Sequence, residues 1–218
     1  MKNLFTSLLS ISCVVLCLSC DLLKKDDPTV LGGDQSPMGK VGVTVGSSSE
    51  PISGVSNFSA TVTALSGGIS SYTAQATLTN TLLKTSLSNY PGITINGNTV
   101  TISNVQIEST TAGIKCISGP GAGILVKYDS AVGDTYPIGS TGAVRTVVRN
   151  SGVDDYPYGM LLIKTIQVES TPNYLKSTNA GVTKITYIAN HKYGLVGVKV
   201  AFDDGTSASF PLYTSAEN

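Results

Sequence analysis

Apolar and polar residues alternate along most of the chain after Ile52, which is the pattern of half-buried β-strands. Phe58, Ala60 and Val62 alternate with polar side chains, and Gly, Pro, Asn and Asp separate one such segment from the next. The pattern predicts further strands near residues 72–78, 93–95, 99–102, 105–108, 114–117, 124–128, 144–149, 160–169, 182–189, 195–202 and 207–213.

Two local patterns add detail to this series of strands. Asn96-Gly97 lies between two short apolar segments and predicts a β-hairpin, because both residues tolerate the positive φ of a tight turn. The leucines between Thr81 and Leu87 have helical spacing and predict one or two helical turns, which end before Pro91-Gly92.

Three segments of the chain return later in the same order. Each first copy and its second copy share apolar and polar positions, which suggests two related β units. The paired segments are 105–110 and 166–171, 123–129 and 197–203, and 136–138 and 210–212.

The fold class that we predict is therefore all-β, with at most one short helix. We expect a β-sandwich of two related immunoglobulin-like β units, residues 52–138 and residues 139–215. One two-sheet sandwich and two small sandwiches in tandem both fit the pattern, and a barrel is the alternative architecture.

The first nineteen residues have the pattern of a signal peptide that is cleaved. Lys2 precedes an uncharged apolar stretch from Leu4 to Ser19, which is shorter than the ~20 residues needed to span a bilayer. The stretch ends Leu16-Cys17-Leu18-Ser19-Cys20. A small residue directly before a cysteine resembles the lipobox of bacterial lipoproteins, although Cys17 stands where that motif usually has Leu. The resemblance implies that Cys20 is acylated and becomes the first residue of the mature chain.

Residues 20–51 are rich in Gly, Ser, Pro and charge, which predicts a lipid-anchored flexible tether. Val41, Val43 and Val45 alternate, so a short strand is possible within it. Lys24-Lys25-Asp26-Asp27 is similar to short signals that send some Gram-negative lipoproteins to the outer face of the outer membrane, and a solvated linker explains it equally well. We therefore expect an envelope protein anchored in the outer membrane, with surface display as a hypothesis.

Composition and charge exclude some function classes. The formal net charge is +0 and only 13% of residues are charged, so no basic patch points to nucleic acid. Once Cys13 and Cys17 leave with the signal and Cys20 is acylated, only Cys116 remains, and the mature chain has no intramolecular disulfide.

The most distinctive loop is Asp154-Asp155-Tyr156-Pro157-Tyr158. Its two tyrosines can stack on a sugar or contact a protein partner, and a sheet-edge loop with packed tyrosines is the simpler interpretation. His191 lies in a predicted turn and joins this loop as a candidate for a composite binding surface. By strand periodicity Arg145 and Arg149 share one face and are expected to pair with Asp154 or Asp155.

Other candidate sites are less specific. His191 is the only histidine, and the sequence contains no cysteine cluster or His-x-x-x-His pair that would indicate a metal site. Glu108 and Glu169 occupy equivalent positions of the two units, and a glycosidase would need two such carboxyls facing each other across a cleft. Asp129-Ser130-Ala131 resembles an acceptor for O-glycosylation, with Ser130 as the candidate residue.

The sequence thus predicts a lipid-anchored binding or adhesion module that uses its loops for a protein or glycan ligand. A structural component of an outer-membrane complex is the alternative, and a carbohydrate-active enzyme is the third hypothesis. We expect no cofactor and no catalytic activity, because neither a nucleophile motif nor a ligand cluster occurs in the sequence.

Overall fold

The computed structural model describes residues 29–47, 54–79, 92–119, 121–140, 142–171 and 182–218, with the single positions 81, 84 and 88. Within it, Leu31–Asn218 form one compact unit. A short 3-10 helix covers Pro37–Gly39. The strands are β1 (Thr44–Ser47), β2 (Val55–Ser66), β3 (Ile69–Leu78), β4 (Ile93–Asn96), β5 (Thr99–Thr110), β6 (Gly113–Cys116), β7 (Gly123–Lys127), β8 (Thr135–Pro137), β9 (Val144–Asn150), β10 (Tyr156–Tyr158), β11 (Leu161–Ile163), β12 (Ile166–Ser170), β13 (Val182–Asn190), β14 (Gly194–Phe202), β15 (Ser207–Pro211) and β16 (Tyr213–Thr214).

The strands form two sheets and one separate hairpin. The large sheet has the order β16-β1-β2-β3-β5-β6-β7, with β4 beside β6 on the same edge of β5. The small sheet has the order β15-β14-β13-β12-β9-β8, and β10 pairs with β11. The chain passes from the large sheet to the small one between β7 and β8, and returns between β15 and β16. All of these strand pairs are antiparallel.

β-Bulges bend the long strands of the large sheet. Asn57 and Asn104 both have a positive φ, at 53° and 59°, and each lies where the register of its strand shifts. Asparagine tolerates this left-handed conformation better than most residues with a side chain. Because a bulge bends its strand and increases its twist, these two residues help to curl the sheet.

Apolar side chains from both sheets form the main core. Ile124 and Val126 of β7 belong to one buried cluster with Val147 of β9 and Val168 of β12. Each of these four side chains is at most 1% exposed. Burial of such side chains contributes about 1.5–3 kcal/mol each, so this layer stabilises the contact between the two sheets.

The predicted all-β sandwich is confirmed, whereas its immunoglobulin-like character is not confirmed by this strand order. The hairpin predicted at Asn96-Gly97 is present as β4 and β5, with Asn96 opposite Thr99. Its two turn residues are therefore Gly97 and Asn98, one position later than expected. Most of the helix predicted from Thr81 to Leu87 lies outside the described residues.

Two of the three pairs of repeated segments fall on corresponding strands of the two sheets, whereas 136–138 and 210–212 both lie at edges of the small sheet, largely on β8 and β15. Residues 105–110 and 166–171 lie largely on β5 and β12, which each begin a meander. Glu108 is 3.9 Å from Lys115 on the next strand, and Glu169 is 2.9 Å from Lys184 on the next strand of its own sheet. Residues 105–110 thus open the meander β5-β6-β7 of the large sheet, and residues 166–171 open the meander β12-β13-β14-β15 of the small sheet.

The folded unit begins earlier than the sequence predicted. Leu31 is 4% exposed and belongs to the main core cluster, and Ser36 is completely buried. β1 pairs with β2 and β16, so Thr44–Ser47 is part of the large sheet. The prediction that residues 20–51 form a flexible tether is therefore wrong for Leu31 to Ser47. Apolar packing and strand pairing hold these residues on the sandwich.

One end of the sandwich carries this entering segment, and we call it the tether end. Gly33 lies against the β5–β6 turn at Ala112, and Met38 lies against Gly194 at the start of β14. The backbone N–H of Asn218 donates to the carbonyl of Lys192 in the β13–β14 turn, at 2.9 Å. The opposite end, which we call the far end, carries the β4–β5, β6–β7, β8–β9 and β14–β15 connections.

Candidate functional site

A cleft of about 250 Å³ lies between the curled large sheet and the start of β14. The lining is apolar apart from Ser109, Thr214 and the hydroxyls of Tyr72 and Tyr193. Ligand sites in proteins are typically concave and mainly apolar, with few polar groups. The other lining residues are Met38, Val45, Phe58, Ala60, Ala74, Val105, Ile107, Ile114, Leu125, Gly194, Leu195 and Leu212.

Two small side chains on neighbouring strands leave this space open. Ala60 of β2 and Ala74 of β3 are directly opposite in register, and each is 8% exposed. Gly194 also lines the cleft, where its φ of +67° favours glycine and an added Cβ would lie 2.7 Å from the sulfur of Met38. The glycine is thus explained by the turn, whereas the two alanines are positions where a larger side chain would fill the cleft.

The apolar surface continues along the large sheet beyond the cleft. Phe58 and Ala74 also line a smaller cavity of about 130 Å³, together with Leu78 and Val100. A ligand longer than the main cleft would therefore find further apolar surface along β2 and β3.

Three tyrosines stand together at the margin of the cleft. The ring of Tyr158 stacks on that of Tyr193, with centroids 4.7 Å apart, and lies 5.1 Å from the ring of Tyr213. The backbone N–H of Thr214 donates to the Tyr158 hydroxyl at 3.5 Å. Tyr193 and Thr214 both line the cleft, so this tyrosine cluster adjoins the candidate site.

Burial raises the pKa of several tyrosines of this region. For Tyr72 the main cause is burial, against a lowering contribution from Ser109, and its hydroxyl donates to the Met38 carbonyl at 3.3 Å. For Tyr158 burial also dominates, and the neighbouring tyrosines add to the rise in pKa. These hydroxyls are therefore neutral hydrogen-bonding groups at neutral pH and not bases.

The structure brings the two predicted binding loops together. Tyr156 and Tyr158 lie on the β10–β11 hairpin, and Tyr158 stacks on Tyr193 of the turn that also contains His191. Asn190 caps this turn, since its side-chain oxygen accepts the backbone N–H groups of Lys192 and Tyr193. His191 is exposed, and its carbonyl accepts a hydrogen bond from Asn218.

The two acidic residues of the predicted loop lie at the base of the hairpin. Asp154 and Asp155 are exposed, and Asp155 forms an ion pair with Arg149. Neither aspartate lines the cleft, and the ion pair of Asp155 with Arg149 fixes the base of the hairpin.

The prediction that Arg145 and Arg149 share one face is wrong. The register between β9 and β12 shifts between Val147 and Arg149, which inserts Val148 as an extra residue and reverses the alternation. Arg149 reaches Asp155, as expected. Arg145 is instead 1% exposed, and its guanidinium donates to the carbonyls of Gly121 and Ile124.

The other candidate residues do not line the cleft. Ser130 is 6% exposed, and its hydroxyl accepts the hydroxyl proton of Tyr136 at 2.5 Å, which argues against glycosylation of the folded chain. Glu169 lines a polar groove on the outside of the small sheet, while Glu108 lies in the large sheet. Among the described residues, His, Cys, Asp and Glu form no group of three suited to a metal ion.

Cys20, the predicted acylation site, lies outside the described residues. Across the part of the chain that the structure describes, no helix has the length and apolar character required to cross a bilayer. No family model, curated protein or solved structure matches this chain. The candidate function therefore depends on the geometry of the cleft and on the signal peptide that the sequence predicts.

Proposed function

We propose that this protein is a lipid-anchored binding protein of the cell envelope that holds an apolar ligand group in the cleft between its sheets. The observation that carries this proposal is the apolar cleft of about 250 Å³, with tyrosines at its margin. An apolar cavity of roughly 150 Å³ is large enough to bind benzene, so this cleft accommodates a larger ring or part of an acyl chain.

The location of the cleft supports binding over a purely structural role. Well-packed protein interiors leave few voids larger than a water molecule. Here the paired Ala60 and Ala74 keep a space open that leucine or phenylalanine would fill. The proposed ligand class is therefore a molecule with an apolar ring or chain and a polar group that remains near Tyr193 and Thr214.

Ala60→Phe tests this proposal, with Ala64→Phe as the matched control on the same strand. Ala60 lines the cleft, whereas Ala64 is exposed. The protein would be the processed chain from residue 20 with Cys20→Ser, and the probe would be the fluorescent fatty acid 11-(dansylamino)undecanoic acid. We expect saturable binding that Ala60→Phe weakens at least tenfold and that Ala64→Phe leaves within twofold.

One further measurement and one further variant make the result decisive. Thermal unfolding shows whether Ala60→Phe is folded, and the smaller change Ala60→Leu provides a second cleft-filling variant. The proposal fails if folded variants with a filled cleft bind the probe as well as the parent protein does.

A further inference from the structure

The exposed large apolar side chains of the described residues are concentrated at the tether end. Met160 is fully exposed, and Leu162 and Val153 are 61% and 64% exposed. Val132 and Leu161 belong to the same group. Single exposed apolar residues are common on protein surfaces, but a group of them at one end of a molecule marks an interaction site.

The hairpin that carries most of this group is firmly attached along the tether end. At its base, the side-chain amide of Asn190 donates to the carbonyl of Lys164 at 2.8 Å. Nearer its tip, Tyr158 stacks on Tyr193, which belongs to the same turn as His191. The apolar residues are therefore held in a fixed position beside the β13–β14 turn.

Packing of the hairpin does not require its outer apolar residues. Tyr156 and the 7%-exposed Ile163 face the small sheet, where they pack with Ile188 and Val196. Leu162 lies opposite Pro157 on the other face of the hairpin, and Met160 lies in the turn. Turns usually carry polar residues or glycine, so a fully exposed methionine in this turn needs another explanation.

The tether places a membrane close to this surface. If Cys20 carries acyl chains, only Asp21 to Val30 separate the bilayer from the folded unit at Leu31. A segment of that length spans at most about 35 Å when fully extended. Because the segment joins the sandwich at the tether end, this end is the part of the fold held nearest to the lipid.

We propose that the tether end docks on the bilayer that holds the anchor, with Met160, Leu161 and Leu162 inserted into its interfacial region. This inference rests on the acylation of Cys20 that the proposed function includes, and it does not depend on a ligand in the cleft. Apolar side chains on a peripheral protein bind membranes in proportion to the apolar area that they bury.

The charges around the hairpin predict which lipids suffice. Exposed Lys164 and Lys192 lie at the same end as exposed Asp154 and Glu217, and Lys192 is 3.2 Å from Glu217. Since both signs occur together, docking is driven by the apolar residues and does not require anionic lipid. We expect the same docking on phosphatidylcholine vesicles at low and high salt.

Tryptophan fluorescence tests the proposal directly, because the chain contains no tryptophan. The acylated full-length protein would be reconstituted in phosphatidylcholine vesicles as Leu161→Trp, with Met160→Trp as a second probe of the tip. Val144→Trp is the matched control, since Val144 is exposed at the far end, at the start of β9. We expect lipid with brominated acyl chains to quench the two tip variants at least threefold more than the control.

Each other outcome has a defined meaning. If the protein floats with the vesicles but the tip and control positions are quenched equally, the proposal is overturned. A blue-shifted tip tryptophan without quenching by brominated lipid, together with a dimer on crosslinking, would overturn it in favour of a second copy of this chain. Failure of the parent protein to incorporate labelled palmitate would instead disprove the anchor, and the docking with it.

Discussion

The turns at the two ends of the sandwich are built from different kinds of residue. At the far end, the β14–β15 turn contains Asp204, whose carboxylate accepts the backbone N–H and the hydroxyl of Thr206 at 2.8 and 2.6 Å. These hydrogen bonds lower the pKa of Asp204. At the tether end, the β10–β11 turn places Met160 in solvent, with Leu161 and Leu162 following it.

Folding explains the residues of one of these turns but not those of the other. A turn needs residues that tolerate its backbone and satisfy its polar groups, and Asp203-Asp204-Gly205 provides both. Exposed leucine and methionine contribute neither, and they increase the tendency to associate. Folding therefore accounts for the polar β14–β15 turn, whereas it does not account for the exposed apolar residues of the β10–β11 hairpin, for which we propose contact with the bilayer.

The largest effect that we expect follows replacement of the anchor. Cys20→Ala should abolish incorporation of labelled palmitate, because no other residue of the predicted signal peptide fits the lipobox pattern. Cys116→Ala is the control, since Cys116 is half-buried in β6 and should not affect acylation. Metabolic labelling followed by gel electrophoresis measures both variants. Persistent labelling of Cys20→Ala would show that the acyl chains are attached elsewhere, and nothing would then place the tether end nearest to the lipid.

Stability measurements test whether the exposed hairpin residues contribute to folding as the core residues do. Ile124→Ala should reduce the free energy of unfolding by about 3 kcal/mol, because this 1%-exposed side chain fills the core between the sheets. Leu161→Ala should cost less than about 0.5 kcal/mol, because the side chain is already 54% exposed. Urea unfolding of the two variants gives both values. A large loss for Leu161→Ala would show that the hairpin residues serve the fold and would weaken the docking proposal.

Local patterns explain why so much of the fold was predictable from the sequence. Strand periodicity depends only on neighbouring residues, so it predicted β7, β9, β13 and β14 to within one residue at each end, although it divided β5 into two strands and joined β11 to β12. The repetition of Glu108 at Glu169 also had a local structural basis, since each carboxylate pairs with a lysine on the next strand. Local patterns thus predicted where most of the strands lie.

Features that depend on register were not predictable in the same way. Nothing in the sequence marks Ala60 and Ala74 as partners, because their contact depends on the bulges of β2 as well as on the turn that joins β2 to β3. The extra residue Val148 likewise reversed the expected direction of Arg149. A shift of one residue moves a side chain to the other face of a sheet, so the cleft could be found only in three dimensions.

Composition also predicted the wrong boundary for the folded unit. Gly32, Gly33 and Pro37 have the composition of a linker, yet Ser36, which directly precedes Pro37, is fully buried and makes two hydrogen bonds. Its hydroxyl donates to the side-chain oxygen of Asn218 at 2.6 Å and accepts the backbone N–H of Met38 at 3.1 Å. Such long-range contacts with the end of the chain cannot be recognised from local composition.

The last effect that we expect is confined to alkaline pH and concerns one buried tyrosine at the tether end. Tyr128 follows β7 at the tether end, and burial raises the pKa of its hydroxyl from the usual value of 10.0. A raised pKa in the folded state stabilises the fold below pH 10, and this contribution is lost as the pH rises further. Between pH 10 and 11 the loss amounts to about 1 kcal/mol for one such tyrosine.

Tyr128→Phe should therefore reduce the alkaline loss of stability by about that amount, since phenylalanine does not ionise. At pH 7 the variant should be as stable as the parent or slightly more stable, because the buried Tyr128 hydroxyl has no hydrogen-bond partner among the described residues. Urea unfolding at pH 7, 10 and 11 measures the difference. If the variant and the parent lose stability in parallel above pH 10, Tyr128 does not couple the tether end to pH, and the alkaline response must come from other groups.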